Sequence, residues 1–133
     1  MNILILIAED DNYNNKALCE VLESEGYNVE TALNSPDAIN KVKHNEKTYQ
    51  LLILDYNLQD LQGTTGLDIF EMAKENDPNI QTIMISSYGE DKGLKENVHN
   101  SKGIRAFVDK PFLTTDLIDT VDDILRQEET ASN

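Results

Sequence analysis

"LLILDYN" (51–57) is a run of four apolar residues that leads directly into an aspartate. A short, continuously apolar run is typical of a strand that is covered on both faces of a parallel sheet. Asp55 stands where that strand ends. The segment therefore predicts a buried parallel strand with a carboxylate at its carboxyl end.

Four more segments of the 133-residue chain have β-like apolar character, and segments with helical spacing separate them. The strand candidates are ILILI (3–7), YNVETA (27–32), TIMI (82–85) and IRAFV (104–108). Apolar residues recur at helical spacing in four segments, 17–22, 38–42, 66–73 and 117–125. Strands that alternate with helices in this way predict an α/β domain whose parallel sheet has helices on both faces.

Two of the helical segments carry further local signals. NSPDA (34–38) places Ser35 as a cap and a proline in the first turn of the second helix. A further segment, 89–103, lies between the fourth and fifth strand candidates and is the candidate for the fourth helix; it offers only Leu94 and Val98 as apolar anchors and contains Gly93. We expect this fourth helix to be short or irregular, because glycine disfavours a helix interior and few apolar contacts hold it.

The chain is strongly acidic, with 25 acidic residues against 11 basic ones and a formal net charge of −14. Phosphate backbones and anionic membranes repel such a chain, so we expect neither as a direct partner. No apolar run approaches the roughly 20 residues of a membrane helix. The single cysteine, Cys19, excludes an internal disulfide and fits the reducing cytoplasm.

Chemically reactive side chains follow four of the five predicted strands. These are Glu9, Asp10 and Asp11 after the first, Asp55 at the third, Ser86 and Ser87 at the fourth, and Lys110 at the fifth. Parallel strands end at one edge of a sheet, and open α/β sheets bind ligands beyond that edge. We therefore predict that these residues meet, although a hundred positions of sequence separate the first from the last.

Taken singly, each of these residues has an ordinary structural explanation. Asp10 or Asp11 could cap the following helix and complement its dipole. Asp55 could begin a turn, Ser86 could be a loop hydroxyl, and Lys110 could be a solvated charge. None of these explanations accounts for the shared edge, which is the stronger signal.

The predicted cluster has the composition of a site that handles a phosphoryl group. Adjacent carboxylates repel one another, and a divalent cation such as Mg²⁺ relieves that repulsion through hard oxygen ligands. Asp55 could then act as a nucleophile toward phosphorus, while Lys110 and Ser86 stabilise the charge on the phosphoryl oxygens. Pro111 directly after Lys110 would fix the direction of the chain there. A cis Lys110–Pro111 peptide bond is one way in which it could do so.

The motifs ILILIAEDD, LLILDYN, MISS and GIRAFVDKPF resemble, in order and spacing, those of the receiver domain of two-component response regulators. The resemblance covers residues 2–127 as one response regulatory domain and leaves 128–133 as a polar tail. It implies a doubly wound (βα)5, flavodoxin-like three-layer sandwich with a central five-stranded parallel sheet in the order 2-1-3-4-5. It also implies a cytoplasmic signalling domain and not an enzyme.

The resemblance further implies how phosphorylation would occur. Asp55 would accept the phosphoryl group from a sensor histidine kinase or a histidine phosphotransfer protein. Asp10, Asp55 and the backbone carbonyl of Asn57 would bind Mg²⁺ (or Mn²⁺) directly, and Glu9 would act on the metal through water.

Signal output is implied by the same resemblance. Lys110 and Ser86 would stabilise the phosphoryl group, and Ser86 with Phe107 would form the switch. The switch would change the face made by the fourth helix, the fifth strand and the fifth helix (the α4-β5-α5 face in the family's usual labels), where a downstream protein binds. Phe107 also has the alternative of being a permanently buried core aromatic.

Several positions depart from the family pattern. Leu58 and Gln59 replace a Met-Pro pair, and the loop before the third helix is about three residues longer than usual by comparison with that pattern. Asn57 and Tyr88 match positions that tune the lifetime of the phosphoryl group. We expect the bulky Tyr88 to obstruct the attacking water and to slow self-hydrolysis.

Three other functions compete with phosphorylation-dependent signalling. A pseudo-receiver, which keeps the fold as a binding module without phosphorylation, is the principal alternative. A phosphatase of the haloacid-dehalogenase type would need a second acid two residues after Asp55, where Asn57 stands. A flavin-binding domain would need a phosphate-cradling loop after the first strand, where this chain has EDDNYNN.

Overall fold

The computed structural model describes residues 3–44, 47–87 and 102–131, with side chains as far as residue 126. Its elements, in chain order, are β1 (Leu4–Ala8), α1 (Asn12–Ser24), β2 (Asn28–Ala32), α2 (Ser35–His44), β3 (Leu51–Asp55), α3 (Gly66–Asn76), β4 (Gln81–Ser87), β5 (Ile104–Lys110) and α4 (Thr114–Ala131). The segment predicted as the fourth helix, 89–103, lies outside the described residues except for Lys102 and Gly103, which form a turn, so α4 corresponds to the predicted fifth helix. No helix in the described ranges is both long and apolar enough to cross a membrane.

The five strands form one parallel sheet in the order β2-β1-β3-β4-β5. The predicted fold and strand order are therefore confirmed. β3 lies at the centre, and all five of its residues are buried. β1 and β4 flank it in register, with Leu54 opposite Ala8 on one side and Met84 on the other.

Two apolar layers cover the sheet because successive strand residues point to opposite faces. On one face, Leu6, Leu52 and Met84 pack with buried residues of α2 and α3. On the other face, Ile5 and Ile53 pack with buried residues of α1 and α4. This arrangement is the predicted three-layer sandwich.

The caps of α2 and α3 show how local sequence sets the helix starts. Thr65 and Asp68 form a reciprocal capping box at α3. At α2 the Asn34 side chain accepts a hydrogen bond from the Asp37 N–H at 2.8 Å, and Ser35 is already the first helical residue. The predicted cap at Ser35 is therefore wrong by one residue, because Asn34 is the residue that reaches the free N–H one turn ahead.

The long connection between β3 and α3 is folded back on itself. Asn57 and Thr65 form an isolated antiparallel bridge at its base, and Leu58 is buried in the core beneath it. Gln59 has a φ of 53°, and Gly63 has a φ of 80°. Left-handed backbone is unfavourable for a side chain such as that of glutamine, so the loop is held by its contacts and not by local preference.

Gly66 allows α3 to start directly against the end of β3. Its N–H donates to the Tyr56 carbonyl at 2.9 Å. A Cβ at this position would lie 2.5 Å from the Asp55 carbonyl oxygen and 3.0 Å from the Met84 sulfur. The close approach therefore requires a residue without a side chain.

We expect Gly66→Ala to lower the free energy of unfolding by about 1–3 kcal/mol, as overpacking does in a tight core. Urea denaturation of the metal-free protein measures this change. Gly63→Ala is the matched control: its added Cβ meets nothing within 4 Å, and only its positive φ opposes it. If Gly66→Ala instead raised stability by about 1 kcal/mol, as helix propensity alone would give, the steric account would be wrong.

Candidate functional site

The carboxyl ends of β1, β3, β4 and β5 meet at one edge of the sheet, which we call the carboxyl edge. Asp55 pairs in register with Ile85, and Ser87 pairs with Lys110. The topology thus brings together Glu9, Asp55 and Lys110, which come from three different strands or strand ends. The predicted meeting of distant residues takes place for these three side chains.

Three carboxylates cluster at the carboxyl edge. One oxygen from each of Glu9, Asp10 and Asp55 lies within 4.8 Å of the others. The side chains of Glu9 and Asp55 are nearly inaccessible, whereas Asp10 is partly exposed. Such a set of hard oxygen donors, with one ligand open to solvent, suits a small divalent cation that keeps part of its water shell.

Lys110 faces this cluster with its ammonium group. Its Nζ lies 2.5 Å from Asp55 Oδ2 and 2.9 Å from Glu9 Oε2. Burial alone would lower the pKa of Lys110, but its hydrogen bonds to Asp55 and Glu9 outweigh burial and raise that pKa. The lysine is therefore held in its charged form, and it spans the sheet from β5 to β3 and the end of β1. The Lys110–Pro111 peptide bond is cis, which is the form that the sequence analysis offered for this position.

The acids of the cluster carry more negative charge than Lys110 neutralises. Burial, followed by interaction with Asp55, raises the pKa of Glu9. Burial, followed by the charge of Glu9, raises the pKa of Asp10. Among the described residues, three carboxylates against one ammonium leave two negative charges when all are ionised. A divalent cation matches that excess, so the residues fit the predicted metal.

The Asp55 carboxylate is held at both of its oxygens. Lys110 contacts Oδ2, while the Asn57 N–H donates to Oδ1 at 3.1 Å. The Asn57 side chain is occupied by the turn, where its Oδ1 accepts from the Gln59 N–H. Asn57 therefore orients Asp55 through its main chain, while the role of its carbonyl as a metal ligand stays a prediction.

The two predicted switch residues lie on neighbouring strands. Ser86 on β4 is fully buried, and its Oγ lies 3.5 Å from Asp109 Oδ1. Phe107 on β5 is half-buried and packs against the core on the α2–α3 side. Both interpretations of Phe107, as a switch and as a core aromatic, remain compatible with that position. Tyr88 lies outside the described residues.

A cavity of about 420 Å³ opens beside Lys110. It lies between the first turns of α1 and the connection from β5 to α4. Its apolar wall includes Ala17, Leu18 and Phe112, and its polar wall includes Asn14 and Ser87. The cluster can therefore be approached from solvent on this side.

Asn15 belongs to the carboxyl edge as well, although the sequence analysis did not single it out. Its side chain is buried, and Nδ2 donates to the Glu9 carbonyl at 3.0 Å and the Ala32 carbonyl at 3.3 Å. A signal was available: Asn15 stands three residues before Leu18 and seven before Leu22, in the buried stripe of α1. A polar residue in an apolar stripe marks a buried hydrogen bond.

Comparison with known proteins agrees with this geometry. The family model for the response regulator receiver domain matches residues 5–122. The transcriptional regulatory protein CpxR homolog of Haemophilus influenzae is 31% identical over 129 residues, which cover 97% of this chain and 53% of the relative. The chemotaxis protein CheY of Treponema pallidum is 25% identical, over 92% of this chain and 82% of the relative.

Solved structures give the same result. The receiver domain protein (CheY-like) of Methanospirillum hungatei superposes with a TM-score of 0.84 at 25% identity, covering 98% of this chain and 99% of the other. The chain spans about half the length of the CpxR homolog that it matches. With its fold, its strand-end residues and a family match over most of its length, the chain belongs to the response regulator receiver domain family of two-component systems.

Proposed function

We propose that this receiver domain accepts a phosphoryl group on Asp55 from a sensor histidine kinase or a histidine phosphotransfer protein. The observation that carries the proposal is the Asp55 carboxylate itself. It is buried, yet it is paired with Lys110 and lies among two further acids at the edge where α/β folds bind ligands. A carboxylate with a purely structural role would not need two acidic neighbours.

The chain's own residues support nucleophilic attack by Asp55. One carboxylate oxygen forms the new bond to phosphorus while the bond from phosphorus to the donor's imidazole nitrogen breaks, and that nitrogen keeps the electron pair. The Asn57 N–H orients the carboxylate. The Lys110 ammonium is near enough to stabilise negative charge on the transferred phosphoryl oxygens.

Asp10, Asp55 and the Asn57 carbonyl would hold Mg²⁺ or Mn²⁺, with Glu9 acting through water. When bound, the metal supplies positive charge to the phosphoryl oxygens. The unneutralised charge of the cluster and the raised pKa values of Glu9 and Asp10 support this assignment. A cytoplasmic location follows from the proposal, since the kinase's phosphorylated histidine must reach Asp55.

A protein donor is supported by the apolar surface around the site. Within the described ranges, the large apolar side chains that are exposed all lie in segments that follow the carboxyl ends of strands: Leu33 directly after β2, Leu113 three residues after β5, Tyr13 in the first turn of α1 and Leu61 in the loop between β3 and α3. Small phosphodonors need no such contacts, whereas a protein that presents a phosphorylated side chain must cover the rim of the site. Leu61 stands on the lengthened loop after β3.

The proposed output is a change in the face that includes β5 and α4 and the segment between β4 and β5. Ser86 would move toward the phosphoryl group, and Phe107 would follow it inward. Phe107 is half-buried, so an inward movement would remove its remaining exposed surface from water. A downstream protein would bind that face, without direct contact to nucleic acid or membrane.

The pseudo-receiver is the second candidate, and the intact site disfavours it. A binding module that had abandoned phosphorylation would have no need to keep three clustered carboxylates, because their unneutralised charge lowers the stability of the metal-free protein. The phosphatase alternative lacks its general acid, because the amide of Asn57 cannot donate a proton in that role.

Treatment with phosphoramidate in the presence of Mg²⁺ should add one phosphoryl group to the protein, and Asp55→Asn should abolish the addition. Intact-protein mass spectrometry measures both. Asp123→Asn is the control, because Asp123 is an exposed acid on α4 outside the carboxylate cluster, and it should still be labelled. Equal labelling of Asp55→Asn and the wild type would exclude Asp55 as the acceptor, and no labelling of the wild type would favour the pseudo-receiver.

Asp10→Asn should raise the melting temperature of the metal-free protein at pH 7. The folded-state pKa of Asp10 is raised, so its ionised form opposes folding above that pKa and the opposition is lost as the pH falls. The gain of the variant should therefore shrink from pH 7 toward pH 4, in a calorimetric series. Asp11→Asn is the control, since Asp11 caps α1 and asparagine caps equally well. A gain that is independent of pH would contradict the electrostatic account.

Tyr88→Ala should shorten the lifetime of the aspartyl phosphate, because a smaller side chain would admit the attacking water. The decay of the mass-shifted species after removal of phosphoramidate gives the rate. We expect the decay rate to rise by less than the roughly 100-fold that a positioned acid or base contributes, because Tyr88 is predicted only to obstruct the water. Decay at the wild-type rate would remove the role predicted for Tyr88.

A further inference from the structure

Asn15 is a polar residue in the buried stripe of α1. The other buried residues of that helix are Leu18 and Leu22, and Asn15 is as inaccessible as Leu18, with 3% of its surface exposed. Burying an amide without hydrogen bonds is unfavourable, so its position depends on its partners. Those partners are main-chain carbonyls at the carboxyl edge.

The Asn15 amide connects the ends of two strands. Nδ2 donates to the carbonyl of Glu9, one residue beyond β1, and to the carbonyl of Ala32, the last residue of β2. The Glu9 N–H donates to the same Ala32 carbonyl at 3.1 Å. Asn15 and Glu9 thus extend the pairing of β1 with β2 by one residue, at the point where the first acid of the cluster begins.

Glu9 is consequently held at its main chain and at its side chain. The Asn15 amide and Ala32 fix its carbonyl and N–H, while its carboxylate accepts from the Asp11 N–H at 3.1 Å and pairs with Lys110. Asp10 lies between two anchored residues. The direction of this short segment decides how far the carboxylates of Glu9 and Asp10 lie from Asp55.

We propose that Asn15 is a positioning residue for the divalent cation that the carboxylate cluster binds. It touches neither the cation nor the phosphoryl group. It acts by holding the main chain of Glu9, so that Glu9 and Asp10 approach Asp55 closely enough to bind the metal together. The proposal rests on the metal binding assigned under the proposed function.

Isothermal titration of Mg²⁺ and Mn²⁺ into the unphosphorylated protein tests this role without any assay of phosphorylation. Asn15→Leu keeps the size and suits the apolar stripe but removes the amide donor. We expect its affinity for both cations to fall about tenfold, as when an outer hydrogen-bond partner of a metal ligand is lost. Asn15→Gln, which keeps an amide, should recover part of that affinity.

Asn76→Leu is the control for loss of an amide that bridges main-chain carbonyls away from the cluster, at a position that is exposed. The Asn76 amide also donates to two main-chain carbonyls, those of Val42 and Lys43, but at the opposite end of the sheet. Only Asn15→Leu should weaken cation binding. Equal cation affinities in Asn15→Leu, Asn76→Leu and the wild type would overturn the proposal and leave Asn15 with a purely structural role.

Two further outcomes are distinguishable. If the wild type bound neither cation, the metal binding of the proposed function and the role of Asn15 would both be wrong. If Asn15→Leu failed to fold, Asn15→Ser, with a single shorter donor, would take its place and should also bind the cations more weakly than Asn15→Gln. Wild-type affinity in the serine variant would overturn the role of Asn15 alone.

Discussion

The pairing of Lys110 with the carboxylates of Asp55 and Glu9 is the interaction on which the carboxyl edge depends. It joins the end of β5 to the end of β3 and to the residue that follows β1, and β4 lies between β5 and β3 in the sheet. Two nearly inaccessible acids could not remain there ionised without a partner, because a buried carboxylate is very unfavourable unless it is paired or neutralised. The lysine meets that requirement for two of the three acids.

The remaining excess of negative charge lowers the stability of the metal-free protein, although the proposed cation binding depends on that charge. The pKa values of Glu9 and Asp10 are raised, which means that their ionised forms oppose folding in the metal-free protein. Sites that bind ligands often retain groups that are unfavourable in their absence. Here the unfavourable charge is also the feature that would attract a divalent cation, so the same carboxylates account for both properties.

Rigid surroundings hold this charged cluster in place. Gly66 brings the start of α3 against the Asp55 carbonyl, the Asn57 N–H orients the Asp55 side chain, and the Asn15 amide fixes Glu9 from the other side. These three contacts come from α3, from the loop after β3 and from α1. The site is therefore supported by contacts of main-chain atoms and small residues. Such contacts bring neighbouring elements closer together than long side chains would, and they have fewer rotatable bonds.

The succession of strands and helices along the chain, the buried third strand and the residues that end each strand were determined by the sequence alone, because they follow from apolar periodicity and short local motifs. The order of the strands in the sheet was implied by the resemblance to the receiver domain. The family match over residues 5–122 and the strand order agree with those predictions. Local pattern was less reliable at the start of α2, where Asn34 and Ser35 are both good caps and only the geometry of the turn selects Asn34. The tertiary structure alone decided that Lys110 contacts Glu9 as well as Asp55. It also decided that the buried Asn15 amide donates to the main-chain carbonyls of Glu9 and Ala32. Such contacts depend on how separate elements pack to within a few ångströms, and local sequence contains no measure of that distance.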